Sequence, residues 1–254
     1  MRNPRLFTDQ SLTPGDQVVL KGTVAQHLGR VLRARTGEHI VLFNGDGQEF
    51  AAQVLTVGKR EVTVDIGVAA TPQTESPVYS MLGLCLSKGD RFDWAIQKAT
   101  ELGVGAIASL YSERVDFSIP PDRIKKRIAH WQQIAISACE QCGRVKVPSI
   151  TSPQPLLSWI GNVSAEQTWV LHCADDTGAP ATTINNGAPQ DAALLIGPEG
   201  GLTDQEFAAA SAEGFQLLQL GPRVLRTETA PAAALSVLSV FWGEMPSRTQ
   251  GYKP

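Results

Sequence analysis

The chain has 254 residues, 43% hydrophobic and 19% charged, so it can bury a sizeable core and is not a disordered tail. Its 22 basic and 25 acidic residues leave a formal net charge of −3, which excludes a general basic coat for nucleic acid. The 23 glycines and 16 prolines imply many tight turns without a collagen-like period.

Charge is unevenly placed. Residues 1–35 carry six basic groups (Arg2, Arg5, Lys21, Arg30, Arg33, Arg35) against Asp9 and Asp16, a net of +4, and the rest of the chain nets −7. A basic head on an acidic body suggests an anionic partner at one end, although a solvated helix face explains the same residues. The first 70 residues read as short strands at Val18–Leu20, His39–Phe43, Phe50–Val57 and Glu61–Ile66, separated by turn signals such as Pro14-Gly15-Asp16 and Asn44-Gly45-Asp46-Gly47. Between the first two, Val24–Arg35 reads as a helix with Leu28, Val31 and Leu32 on one face. This spacing predicts a small β-barrel. Thr71–Pro77, polar and bracketed by prolines, reads as a linker.

From residue 78 strands alternate with helices. Strands are expected at Val78–Leu86, Val104–Leu110, Trp169–Cys173, Ala192–Ile196 and Phe215–Leu220. Helices are expected at Asp90–Leu102, Asp122–Gly143, Thr203–Glu213 and Thr229–Trp242. The alternation predicts an α/β domain with a largely parallel, buried sheet. Arg123, Lys125, Lys126 and Arg127 fall on the helix of Ile124, Ile128 and Trp131, where a basic face in water is the simpler reading than nucleic-acid contact.

No segment reaches the roughly 18 apolar residues of a membrane helix. Ala230–Trp242 comes nearest and is interrupted by Ser236 and Ser239. The start of the chain has no apolar signal-peptide core, and four cysteines are too few for a disulfide framework. A reduced cytoplasmic protein is the expectation. Cys139-x-x-Cys142 lies in a predicted helix without a second pair, and the four histidines are scattered, so no metal is expected. Cys85 and Cys173 read as core residues.

Two strand-to-helix bends carry the chemistry. Ile196-Gly197-Pro198-Glu199-Gly200-Gly201-Leu202-Thr203 precedes a capping box of Thr203 and Glu206. Its glycines open the backbone to a ligand, or simply make a structural turn, but their spacing fits neither a dinucleotide fingerprint nor a P-loop. Leu220–Pro231 brings Arg223, Arg226 and Glu228 to the same kind of sheet edge. Two such loops at strand C-termini form the usual ligand crevice of an α/β fold.

Gly197–Gly201 with Leu220–Ala230 resembles the cofactor loops of the SPOUT class of S-adenosylmethionine-dependent RNA methyltransferases. Within it the chain is similar to the RsmE family, the 16S rRNA uracil-N3 methyltransferases. Arg5-Leu6-Phe7, His27–Arg33, Lys88–Trp94 with Lys98–Gly103, and Glu140-Gln141 with Gly143-Arg144 also match that family. Val115, Cys139 and Cys142 depart from its pattern. The resemblance implies a PUA-like RNA-binding barrel over 1–72 and a SPOUT α/β domain with a trefoil knot over 73–254. It also implies a homodimer acting on 16S rRNA of the small ribosomal subunit.

For S-adenosyl-L-methionine, the resemblance points to Leu171, Ile196, Gly197, Pro198, Glu199, Gly200, Gly201, Leu220, Gly221, Val224, Leu225, Arg226, Thr229 and Ala230. Apolar members would wall the pocket and glycines would admit the backbone. For catalysis, Arg226 is expected to support a uridine anion or bind the RNA phosphate. Glu228 is expected to remove the proton or orient Arg226, the alternative being a charge at a helix N-terminus. RNA contacts are expected from Arg2, Arg5, Arg30, Arg33, Arg35, Lys88 and Arg91. Competing readings are a SPOUT enzyme for a ribose 2′-hydroxyl or transfer RNA, and a non-catalytic RNA-binding protein.

Overall fold

The computed structural model describes residues 3–172 and 187–245. It divides into two compact units, one of residues up to Glu75 with Ile136–Val147, the other of Ser76–Ala135 with the residues from Pro148 onward. Cys173 lies outside the described residues.

In the first unit, β1 (Arg5–Phe7), β2 (Gln17–Lys21), β3 (His39–Phe43), β4 (Glu49–Val57) and β5 (Glu61–Ala70) form one sheet in the order β1-β3-β4-β5-β2. Alternation buries Val18 and Leu20 of β2 and Val62, Val64 and Ile66 of β5 against a shared core. Register shifts between Phe50 and Ala52 and between Val54 and Thr56 bend the β4–β5 pair around that core. The four predicted strands are present; β1, which pairs parallel with β3, is an addition.

The helix expected over Val24–Arg35 takes another form. A short α1 (Gly22–Gln26) passes into a π-helical turn over His27–Val31, and Arg33 adopts a left-handed φ of 52°. The widened turn breaks the 3.6-residue period. Leu28 is therefore fully buried while Val31 is 70% exposed and Leu32 is also exposed.

Glu75, in the expected linker, accepts from Arg144 Nη2 at 2.7 Å and from the Val145 and Lys146 N–H groups at 2.9 and 3.0 Å. Glu140 accepts from the Phe7 N–H at 3.0 Å, and burial raises its pKa. Cys139 packs with Phe43 and Val145, and burial pushes its thiol up to about 12.

The second unit carries a parallel sheet of β6 (Tyr79–Cys85), β7 (Ala106–Tyr111), β8 (Ser149–Ile150), β10 (Gln167–Leu171), β11 (Asp191–Ile196) and β12 (Gln216–Leu218) in the order β12-β10-β11-β6-β7-β8, with β9 (Gln154–Pro155) also on β7. Every pairing in it is parallel, as the alternation predicts. Residues 192–196 are all buried, so both faces of β11 are covered. The helices are α2 (Arg91–Glu101), α3 (Pro121–Cys142, of which the residues from Ile136 belong to the first unit), α4 (Leu156–Ile160), α5 (Asp204–Ala212) and α6 (Thr229–Phe241). Pairs α2 with α6 and α4 with α5 are in contact. Helix α4 and strands β8 and β9 are too short for sequence periodicity to reveal. Gly83, in the middle strand, lies under the Trp159 indole of α4, where a Cβ would come within 2.5 Å of the ring.

Candidate active site

Strand order sets the crevice. The chain runs from β6 out to β7 and β8, then returns to build β10, β11 and β12 on the other side of β6. Loops leaving the adjacent β6 and β11 therefore diverge above their C-terminal ends. The β11–α5 loop holds Gly197–Thr203, and the β12–α6 loop holds Leu220–Glu228.

A cavity of about 430 Å³ opens between them, lined by Arg91, Pro198, Glu199, Gly201, Val224, Leu225, Arg226, Thr227 and Glu228. Arg226 reaches outward, with its side chain 83% exposed, whereas that of Glu228 is 18% exposed. Their nearest charged atoms are 3.9 Å apart. Arg91, at the start of α2, donates to Glu199 Oε1 at 2.8 Å and lies 4.0 Å from Glu228 Oε2. Thus two carboxylates and two guanidinium groups share one rim.

The first loop is held from behind. Thr203 caps α5 in a reciprocal box with Glu206. Glu206 is buried, and its second oxygen accepts the Glu113 N–H at 2.8 Å. Arg114 Nη1 donates to the Gly200 carbonyl at 2.6 Å. A Cβ on Gly200 would come within 3.3 Å of Arg114, and one on Gly197 within 3.1 Å of Leu202. These two glycines therefore admit neighbouring side chains as well as leaving the backbone open. The box was legible in sequence; the roles of Glu113 and Arg114 were not, because their partners are remote in the chain.

Other predicted cofactor residues are not among those lining the cavity and lie at strand ends, in the β12–α6 loop and at the start of α6. Leu171 and Ile196 end β10 and β11, while Leu220 and Gly221 follow β12, with Gly221 at φ 96°. Thr229 opens α6 and Ala230 is buried behind it. Val224, expected as a wall, is 80% exposed.

The predicted RNA-contact residues separate into groups. Arg30, Arg33 and Arg35 are exposed on the first unit. Arg5 is not: its side chain is 6% exposed, ion-paired with Glu49, and bonded to the carbonyls of Gly143 and Arg144 at 3.1 and 3.2 Å. Its guanidinium is held within that unit and is unavailable to RNA. Lys88 pairs with Asp116 at 2.6 Å, which holds the Asp116 carboxyl below its usual pKa. Arg2 lies outside the described residues. Among the described residues no group of His, Cys, Asp and Glu could hold a metal, and no helix is long and apolar enough to cross a membrane. Cys85, at the end of β6, is raised by burial to about 12.

Comparison with known proteins bears on this geometry. The model of an RNA methyltransferase domain matches residues 74–239, and that of an RNA methyltransferase PUA domain matches 20–67. Ribosomal RNA small subunit methyltransferase E of Buchnera aphidicola is 31% identical over 248 residues, covering 96% of this chain and 98% of its own. The chain belongs to the RsmE family. Its RsmE relative from Bacillus subtilis is 29% identical over 239 residues, covering 92% of this chain and 93% of its own. An RsmE structure from Neisseria gonorrhoeae, bound to S-adenosyl methionine, aligns at a TM-score of 0.86 with 37% identity, covering 95% of this chain and 98% of that one. A Legionella pneumophila protein solved with bound SAM aligns at 0.88 with 39% identity, covering 94% and 98%. RsmE membership accounts for both the curled amino-terminal sheet and the parallel α/β unit.

Proposed function

We propose that this chain transfers a methyl group from S-adenosylmethionine to N3 of a specific uridine in 16S rRNA of the small ribosomal subunit. It works as a cytoplasmic homodimer whose cofactor loops belong to a trefoil knot, with RNA held by residues 1–72 and chemistry done within 73–254. The observation that carries the reading is the meeting of Arg226 and Glu228 with the Pro198–Gly201 loop around one cavity.

The residues present fit the cofactor. Pro198 and Leu225 offer apolar surface, and Glu199 and Glu228 offer negative charge to a cationic ligand. Leu171, Ile196, Gly197, Gly200, Leu220, Gly221, Thr229 and Ala230 complete the surrounding strand ends and loops. When bound, the cofactor supplies an electrophilic methyl on a sulfonium.

The chain's own part is positioning and charge control. Uridine N3 is weakly acidic and carries a proton at neutral pH, so its deprotonated form must be favoured. Arg226, exposed at the mouth, stabilises the uridine anion or grips the adjoining phosphate. Glu228 takes the N3 proton or orients Arg226, and Arg91 fixes the two carboxylates on either side of it. Arg30, Arg33, Arg35 and Lys88 supply phosphate contacts.

The test has two parts. Calorimetry should detect S-adenosylmethionine binding to the purified chain. Mass spectrometry of nucleosides from 16S rRNA treated with the enzyme should find N3-methyluridine. A ribose-methylated product would move the assignment to another SPOUT chemistry, and no cofactor affinity in a folded chain would leave only an RNA-binding protein.

A further inference from the structure

A second cavity, of about 620 Å³, opens where the β7–α3 loop enters α3. Phe117, Ile119 and Pro120 give it apolar walls, and Arg123, Lys126 and Arg127 give it a cationic rim. The loop has a fixed shape: the Ile119 N–H donates to Tyr111 Oη at 2.9 Å and the Arg123 N–H to the Pro120 carbonyl at 2.8 Å. Arg127 lies over the Trp131 ring at 5.9 Å with its side chain still exposed.

Nearby acids leave this rim positive. Asp93 is 2.6 Å from His130, which also lines the cavity, and Asp116 is bound to Lys88. Asp122 is the acidic residue in the first turn of α3. Among the described residues no ion pair joins Arg123 or Lys126 to an acid. The same β7–α3 loop carries Arg114, which donates to the Gly200 carbonyl of the β11–α5 loop.

We propose that this cavity is a nucleotide subsite for the substrate RNA beside the target uridine. The phosphodiester sits on Arg123 and Lys126, and an unstacked base lies against Phe117 and Pro120. Apolar walls with a cationic rim match a single-stranded nucleotide, which presents a flat base beside a negative phosphate. A wholly apolar groove would lack the second match, and a bare cationic face would lack the first. The inference rests on the RNA methyltransferase reading and adds a place where the strand continues beyond the reacting base.

The test uses the full chain and transcribed 16S rRNA, with affinity read by filter binding across a salt series and without turnover. Arg123→Gln with Lys126→Gln should weaken binding about tenfold and lower the magnitude of the log K against log[salt] slope by about 1.4. Phe117→Ala should weaken binding about tenfold and leave the slope unchanged. The conservative pair Arg123→Lys with Lys126→Arg should keep near-parental affinity, and circular dichroism should show all variants folded. Calorimetric affinity for S-adenosylmethionine should match the parent throughout. Equal RNA affinity and salt slope in the Gln pair overturns the proposal. So does a change in sedimentation with RNA binding untouched, which would make the surface a protein interface. A parent that binds rRNA but methylates none would sink the catalytic reading alone.

Discussion

Arg91 bridges to Glu199 at 2.8 Å, tying the first turn of α2 to the β11–α5 loop. Both side chains are roughly half exposed, so the pair contributes at most about 1 kcal/mol to folding. The same guanidinium lies 4.0 Å from Glu228, so Arg91 holds two carboxylates at the rim of the cavity. Arg91→Ala should leave the melting temperature nearly unchanged and lower kcat about tenfold, equivalent to about 1.4 kcal/mol of barrier. Steady-state kinetics beside a thermal melt measures both. Parental kcat in this variant would make Arg91 a surface charge only.

Arg226 extends into solvent at the mouth of the cavity, and among the described residues its one ion-pair partner is Glu228 at 3.9 Å. Removing it should cost little stability. Arg226→Ala should cut turnover about 100-fold, the scale of losing one stabiliser of developing negative charge. Cofactor affinity measured by calorimetry should stay within about twofold of the parent. Parental turnover would remove Arg226 from the chemistry.

Glu206 serves two loops at once. One oxygen completes the capping box with Thr203 and the other accepts the Glu113 N–H. Glu206→Ala removes the acceptor of two part-buried backbone N–H groups, so unfolding free energy should drop by about 1–2 kcal/mol. Glu206→Gln retains an acceptor and should lose less. Urea denaturation of the three proteins gives the order directly; an Ala variant as stable as the parent would refute the bridging role.

Glu140 gives the first unit a pH signature. Burial raises its pKa, so the folded chain holds this proton more tightly than the unfolded chain does. The associated stability is complete below the ordinary carboxylate pKa and is lost as pH rises through the folded value. Glu140→Gln keeps an acceptor for the Phe7 N–H without this loss. Its stability relative to the parent should therefore increase as pH rises from the ordinary carboxylate range towards neutrality, followed by denaturant midpoints. A constant difference across that range would contradict the assignment.

Legibility in the sequence follows how local each determinant is. Helix α2 announces itself through Phe92, Ile96 and Ala99 at helical spacing, and all three are buried. The α5 cap is written within four residues. By contrast, β1 exists because Arg5–Phe7 pairs with Val41–Phe43, and three residues carry no period of their own. Leu28, Val31 and Leu32 share one face only in a regular helix; the π turn and the left-handed Arg33 separate them. At the site, both glycine-bearing loops could be read directly. The Arg91–Glu199 pair and the Arg114 prop could not, since each joins segments that meet only after the sheet has formed.

The middle of the parallel sheet also constrains biosynthesis. Strand β6, at Tyr79–Cys85, has β11, at Asp191–Ile196, as a direct neighbour. During translation, β6 emerges long before that partner exists and must wait with one hydrogen-bonding edge uncovered. Its neighbour β7 can dock early, but the central seam closes only after Ile196 has left the ribosome exit tunnel. This α/β unit therefore matures late, and its nascent form is the stage most in need of protection from aggregation.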